Sequence, residues 1–211
     1  KMKERANEDM HMTSSKQGKK KNKVTVMDTG IDFNHPDLKD VVITKPSECA
    51  ALEKYKACLA DTEKNKAEAC KKIWMDPKNP EVDQDKNGYP MDCHGWSLLS
   101  KFEVGQVLGQ PDVSDNIGHG THVAGIIGAL RDNVIGINGV SSNVEIVPIQ
   151  VIGQRPNEPV KPLSVDLDPI ESVKPERRVG TLASYVARAV IYGIREGVQV
   201  MSFSMGWPEA Q

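Results

Sequence analysis

The sequence predicts an α/β fold, a mostly parallel sheet flanked by helices, on three observations. Val24 to Met27 is a short β-rich apolar run ending abruptly in Asp28-Thr29-Gly30, the pattern of a buried parallel strand that delivers a polar residue at its carboxyl end. Val144 to Val151 and Val198 to Phe203 read as two more buried strands. Gly120 to Leu130 and Leu182 to Arg195 place apolar residues at helical intervals, so strands alternate with helices. Ligands and catalytic groups collect at the carboxyl ends of such strands.

Composition narrows the function classes. The 211 residues are 38% hydrophobic and 5% aromatic, which excludes collagen, coiled coil and wholesale disorder. The longest unbroken apolar and glycine run, Val123 to Leu130, is far short of the roughly 18 to 20 residues of a membrane helix, so no membrane span is expected. Residues 1–23 carry eight Lys/Arg against three Asp/Glu and almost no large apolar group, and read as a flexible basic arm. The arm has no aromatic residue on which bases could stack, so no nucleic-acid partner is expected. Beginning at Lys1 without a signal-like segment, the sequence reads as a mature product or a fragment.

Residues 24–211 read as the N-terminal part of a domain, with insertions at about 44–95 and 153–178. Ser47 to Lys72 is rich in Ala, Lys and Glu without Gly or Pro, and predicts a helical hairpin. Gly153 to Gly180 holds five prolines and no periodicity, a long irregular loop. Cys49, Cys58, Cys70 and Cys93 lie at gaps of 9, 12 and 23 residues. The even number predicts two local disulfides, with all three pairings open and a zinc site as the competing reading. Disulfides imply an oxidising compartment, hence a secreted, periplasmic or cell-surface protein.

The chemistry is carried by VTVMDTGIDFNHPDL at 24–38 and DNIGHGTHVAGIIGA at 115–129. Together they resemble the aspartate and histidine boxes of the subtilisin-like serine proteases, the subtilases, from about Val24 to Gly206. The resemblance implies that Asp28 orients His119, which takes a proton from a serine. Taken alone, Asp28 is also a strand-end turn former and His119 a capping or core histidine. His35, His94 and His122 read as packing or hydrogen-bonding residues, because the HExxH zinc protease pattern is absent.

GVQVMSFSMGW at 197–207 resembles the family's substrate strand, which implies that Ser204, Met205 and Gly206 line the primary specificity pocket. Trp207 departs from the family there, where a second glycine is usual. The resemblance implies that Val179, Gly180 and Thr181, matched by position before the helix near Leu182, form the other side of the cleft. The loop at 153–178 opens beside it, as a lid or exosite or as a surface ornament.

No GTSMA-like nucleophile box or oxyanion asparagine follows. The expectation is a processed two-chain enzyme whose C-terminal chain carries the serine and the asparagine, with a truncated fragment as the rival. A propeptide or inhibitor is a further possible partner.

There are two candidate calcium sites, the first with a plain acidic turn as its competing reading. Asp83, Asp85, Asn87, the Tyr89 carbonyl and Asp92 match part of a calcium loop, with Gly88 for its turn. LRDNVIGING at 130–139 resembles the family's tight calcium loop, which implies ligands from Asp37, Asn133 and the carbonyls of Leu130, Ile135 and Ile137. The reading is therefore a secreted serine endopeptidase acting on peptides through an acyl-enzyme. A catalytically inactive, peptide-binding relative and a zinc-bearing interaction module are the alternatives.

Overall fold

In a computed structural model, residues 21–60, 66–74, 76, 79–99, 103–104, 107–154, 179–181 and 183–206 are described. The basic arm up to residue 20, most of the loop at 153–178, and Trp207 lie outside them.

Strand β1 (Asn22–Asp28) begins two residues before the apolar run and lies at the centre of a four-stranded parallel sheet. Its neighbours are β5 (Val144–Gln150) and β8 (Val200–Phe203), and β2 (Trp96–Ser97) pairs with the far side of β5. The order β2-β5-β1-β8 is the parallel architecture expected from the alternating pattern. Two short antiparallel pairs stand apart from this sheet. One joins β3 (Glu103–Val104) to β4 (Val107–Leu108), and the other joins β6 (Gly153–Gln154) to β7 (Val179–Gly180).

Among the described residues four helices accompany the strands: α1 (Pro46–Leu59), α2 (Lys66–Trp74), α3 (His119–Gly128) and α4 (Ala183–Arg195). Period-two alternation divides the sheet's side chains between two cores. Val24, Val26, Val144 and Ile146 pack with Leu38, Val41 and Ala124 on the α3 side. Met27, Val147 and Ile149 pack with Trp96, Ala189 and Tyr192 on the α4 side. Helix α3 meets the sheet along Gly120, Ala124 and Gly128, spaced by four, all buried. A Cβ on Gly128 would run into Val144, so the small stripe sets how closely α3 approaches.

The VQVMSF segment forms a strand, but not the fully buried one expected. It starts at Val200 and is the edge of the sheet among the described residues, with Val200 54% and Phe203 42% exposed. Pro148 sits inside β5, where an N–H is normally required. The proline falls between the bridge Val42↔Ile146 and the first β2 pair, Trp96↔Ile149, so no ladder bond is lost there.

The Ser47 to Lys72 stretch is the helical hairpin α1–α2, residues 61–65 lying outside the described set. The cysteines form two disulfides, Cys49–Cys93 and Cys58–Cys70, and none is free. With every thiol oxidised, the zinc module lacks thiolate ligands. Cys58–Cys70 clips the hairpin, and Cys49–Cys93 ties its first helix to the return segment. A third core of Ala51, Tyr55, Cys70, Val82 and Met91 fills the space between.

The insertion is bound to the body by charge. Lys45, just before α1, places its Nζ 2.8 Å from Asp85, 2.7 Å from Asp92 and 2.6 Å from Glu196, which follows α4. Burial alone would lower the lysine's pKa, but Asp92, Asp85 and Glu196 together raise it above its ordinary value, keeping it charged. Tyr192 on α4 donates its hydroxyl to Asp92 at 2.8 Å. Glu48, fully buried on α1, accepts the backbone N–H groups of Gln84, Asp85 and Met91 and so shapes the loop from within.

Two stability differences are expected. Lys45→Met leaves three carboxylates without their shared cation and lowers the unfolding free energy by about 3–5 kcal/mol, read by urea titration. Replacing Cys49 and Cys93 together by alanine costs about 4 kcal/mol, against about 3 kcal/mol for Cys58 and Cys70, because their separations are 44 and 12 residues.

Candidate active site

The parallel register sets Asp28 opposite Gln150 at the carboxyl end of the sheet. The Asp28 side chain is fully buried; its Oδ1 accepts the Thr29 N–H at 2.7 Å, and Oδ2 is buried without a partner. His119 is the first residue of α3, and its Nδ1 lies 2.7 Å from Asp28 Oδ1. The imidazole side chain is 50% exposed. One edge of the ring is thus held by a buried carboxylate, and the ring extends from there to the surface. His119 Nε2 has no hydrogen-bond partner among the described residues.

Two glycines make this approach possible. Gly118, with φ 99°, turns the chain into the helix in the left-handed region that glycine occupies without a Cβ penalty. Gly120 lies on the turn after β1, where a Cβ would collide with the Gly30 carbonyl and crowd Asp28. The first turn of α3 therefore rests directly on the Asp28-Thr29-Gly30 segment.

Around this contact lies a polar network that the site residues named from sequence do not include. Asp115 Oδ1 accepts from the Thr29 hydroxyl at 2.9 Å and from the N–H groups of Ile117 and Gly118. Its Oδ2 accepts from the Thr121 N–H and hydroxyl at 3.0 and 2.7 Å. Partial burial works to raise the Asp115 carboxyl, but these donors outweigh it and hold its pKa below the usual value. Thr29 Oγ1 in turn accepts the Gly120 N–H at 2.9 Å. Gln150 donates to the carbonyls of Thr29 and Ser114 and accepts from Ser97 at 2.6 Å. The signal was within the quoted box, as an aspartate four residues before the histidine and a threonine two after it.

The Subtilase family profile matches residues 19–210. The chain belongs to the subtilase family. It is 30% identical over 133 residues to Subtilisin-like protease 1 of Plasmodium falciparum (isolate 3D7), covering 63% of this chain and 14% of that protein. Against Subtilisin-like protease 1 of Plasmodium vivax the identity is 32% over 133 residues, covering 63% of this chain and 16% of that protein. Against the Alkaline protease of Alkalihalobacillus alcalophilus it is 42% over 62 residues, covering 29% and 16%. The chain thus spans only about one seventh of the length of these relatives.

The other expected subtilase residues fall as follows. Ser204, Met205 and Gly206 follow β8 directly, at the same end of the sheet as Asp28. Val179 and Gly180 are β7, paired with β6 just beyond β5, and Thr181 leads towards α4. His35 Nδ1 accepts the Asp37 N–H, while His94 stacks on Phe33 at 4.2 Å with its Nδ1 3.0 Å from the Ile43 carbonyl oxygen. His122 is exposed on α3.

The two loops expected to bind calcium differ. Asp37 is buried, its Oδ1 accepting from Asn133 at 2.6 Å and its Oδ2 from the Ile137 N–H. The loop beside it, which begins after Leu130, has positive φ at Asp132, Val134 and Gly136, and Val134 is fully exposed although β-branched. Such alternate left-handed residues form a concave backbone ring, lined here by Asp132 to Asn138 with Ile135 and Ile137 among them. At 83–92 the structure brings Asp85, Asn87 and Asp92 together, but around the Lys45 ammonium. The Asn87 side-chain nitrogen, and not its oxygen, faces Asp85, Asp92 and Glu196. Asp83 accepts the Gly88 N–H, and the Tyr89 ring packs in the α4-side core.

Gly120→Ala is expected to push α3 from the strand end and cost about 1–3 kcal/mol. The check is a lowered melting temperature accompanied by altered His119 ring signals in NMR.

Proposed function

We propose that this chain is the aspartate- and histidine-bearing part of a secreted subtilisin-like serine endopeptidase. The observation that carries the reading is the 2.7 Å contact between His119 Nδ1 and the buried Asp28 carboxylate. A carboxylate there fixes the tautomer with its proton on Nδ1, leaving Nε2 as the base. His119 Nε2 removes the proton of the attacking serine and returns it to the departing amine, and water then resolves the acyl-enzyme. Ser204 to Gly206 and Val179 to Thr181 hold the peptide as an added strand at the carboxyl end of the sheet. A propeptide or inhibitor would fill the same groove.

The serine and the oxyanion asparagine are assigned to a second, C-terminal chain of the same protease. The open edge of the sheet supports this. Val200 and Phe203 on β8 and Ile191 and Ile194 on α4 are each 42–65% exposed, an apolar margin of the kind that protein packing covers. The two disulfides support export to an oxidising compartment. Among the described residues, no helix is long and apolar enough to cross a membrane.

Calcium is proposed for the loop at 130–139. The buried Asp37 carboxylate suits a hard cation, and the carbonyls of Leu130, Ile135 and Ile137 would join it once the Asn133 amide, whose nitrogen faces Asp37 in this structure, turns its oxygen inward. Its part is structural, holding the segment after α3. The 83–92 loop does not fit a calcium ion while the Lys45 ammonium occupies the place between Asp85 and Asp92.

Fluorophosphonate treatment of the natively purified protease, followed by denaturing mass spectrometry, is expected to label a serine on a co-purifying polypeptide. No label on any polypeptide would leave a peptide-binding relative. Asp28→Asn in the assembled protease should lower kcat roughly 10⁴-fold with little change in KM. A calcium chelator should lower the melting temperature, and Asp37→Ala should abolish that response.

A further inference from the structure

We infer that Asp115 is a positioning residue that holds His119 against Asp28 by acting through Thr29 and through the first turn of α3. The inference rests on the reading of Asp28 and His119 as an orienter and its base.

The argument begins with what α3 lacks. A helix leaves its first N–H groups without partners, and a Ser, Thr, Asp or Asn at the N-cap usually accepts one of them. Here the N-cap is Gly118, which has no side chain to do so. Gly118 is required by its positive φ, so the cap must come from elsewhere. Asp115, three residues earlier, accepts the N–H groups of Ile117, Gly118 and Thr121 at 2.8–3.0 Å and supplies it. His119 is the first helical residue, so its Cα direction follows the first turn that this carboxylate fixes.

The same carboxylate reaches the strand. Thr29 follows Asp28, and Gly120 follows His119. The Thr29 hydroxyl joins them by accepting the Gly120 N–H while donating its own proton to Asp115. A hydroxyl has one proton, and committing it to Asp115 leaves a lone pair facing Gly120. Thr121 repeats the link on the other side: its hydroxyl donates to Asp115 and accepts the Asp32 N–H at 2.9 Å. Two hydroxyls, each with its proton on one carboxylate, thus bind the segment after β1 to the start of α3. Five donors converge on Asp115, a number that a neutral asparagine could not accept, since its amide nitrogen would face N–H and O–H groups.

The test is the His119 Nδ1–H proton in the ¹⁵N-histidine-labelled protein, a signature of the bond to Asp28 that general stability does not supply. The signal is assigned by its loss in Asp28→Asn. Asp115→Ala should lose the low-field signal while amide dispersion persists, and Thr29→Val should weaken or shift it in the same direction. Thr29→Ser, which keeps the hydroxyl, should leave it in place. If Asp115→Ala does not fold, Thr29→Val and Thr121→Val decide, since each removes one hydroxyl. Folded Asp115→Ala or, failing that, folded valine variants with an unmoved signal overturn the inference. A signal already absent from the unsubstituted protein, or unmoved in Asp28→Asn, would instead overturn the Asp28–His119 pair itself and this proposal with it.

Discussion

The contact between the end of β1 and the first turn of α3 is the constraint on which the rest of the site depends. It is made at near-contact distance, backbone on backbone, because Gly120 has no Cβ to hold the helix away from Gly30. Helix α3 can settle that far only because Ala124 and Gly128 continue the same small face along the sheet. A large residue at any of these three positions would lift the helix and carry the imidazole out of reach of a carboxylate that is buried at the end of β1. Packing of apolar surface supplies the driving force, while the polar bonds around Asp115 and Gln150 select one geometry from those the packing allows.

Charge plays a comparable part on the other face of the sheet, with a different result. Lys45, Asp85, Asp92 and Glu196 come from three distant stretches of the chain, and their meeting fixes how the disulfide-bonded insertion sits on α4. Burying these groups costs desolvation, so the cluster is a weak source of net stability but a strong penalty on any arrangement that separates one member. Burial still works against Asp92, whose carboxyl is pushed up to about 7 despite the neighbouring lysine. Its Oδ1 is buried and unpartnered, which is consistent with that push.

The sheet, α3, α4 and the Asp28–His119 pair were legible in the sequence because each is written locally. Apolar periodicity marks the strands and helices, and paired motifs mark the two polar residues. The edge position of β8 was not legible, since VQVMSF has the composition of a buried strand and its exposure depends on what lies beside it. Lys45 was not legible as a partner for the acidic loop, because nothing local connects residue 45 with residues 85, 92 and 196. The disulfide pairing was likewise open, four cysteines allowing three arrangements until the fold brought Cys49 to Cys93. Asp115 was visible in the motif but silent in role, for the Thr29 hydroxyl that joins it to the strand end lies 86 residues away in the chain.

The β6–β7 pairing carries a consequence for how such a protein can diversify. Gly153 pairs with Gly180 and Gln154 with Val179, so residues 154 and 179 are held side by side. Closing a longer loop across a fixed base costs only about 0.6 kcal/mol for each doubling of length. The clasp therefore behaves as a socket: segments of different length and composition can be exchanged between residues 154 and 179 while the sheet keeps its register. Sequence changes between these two residues can then accumulate without disturbing the residues that hold His119.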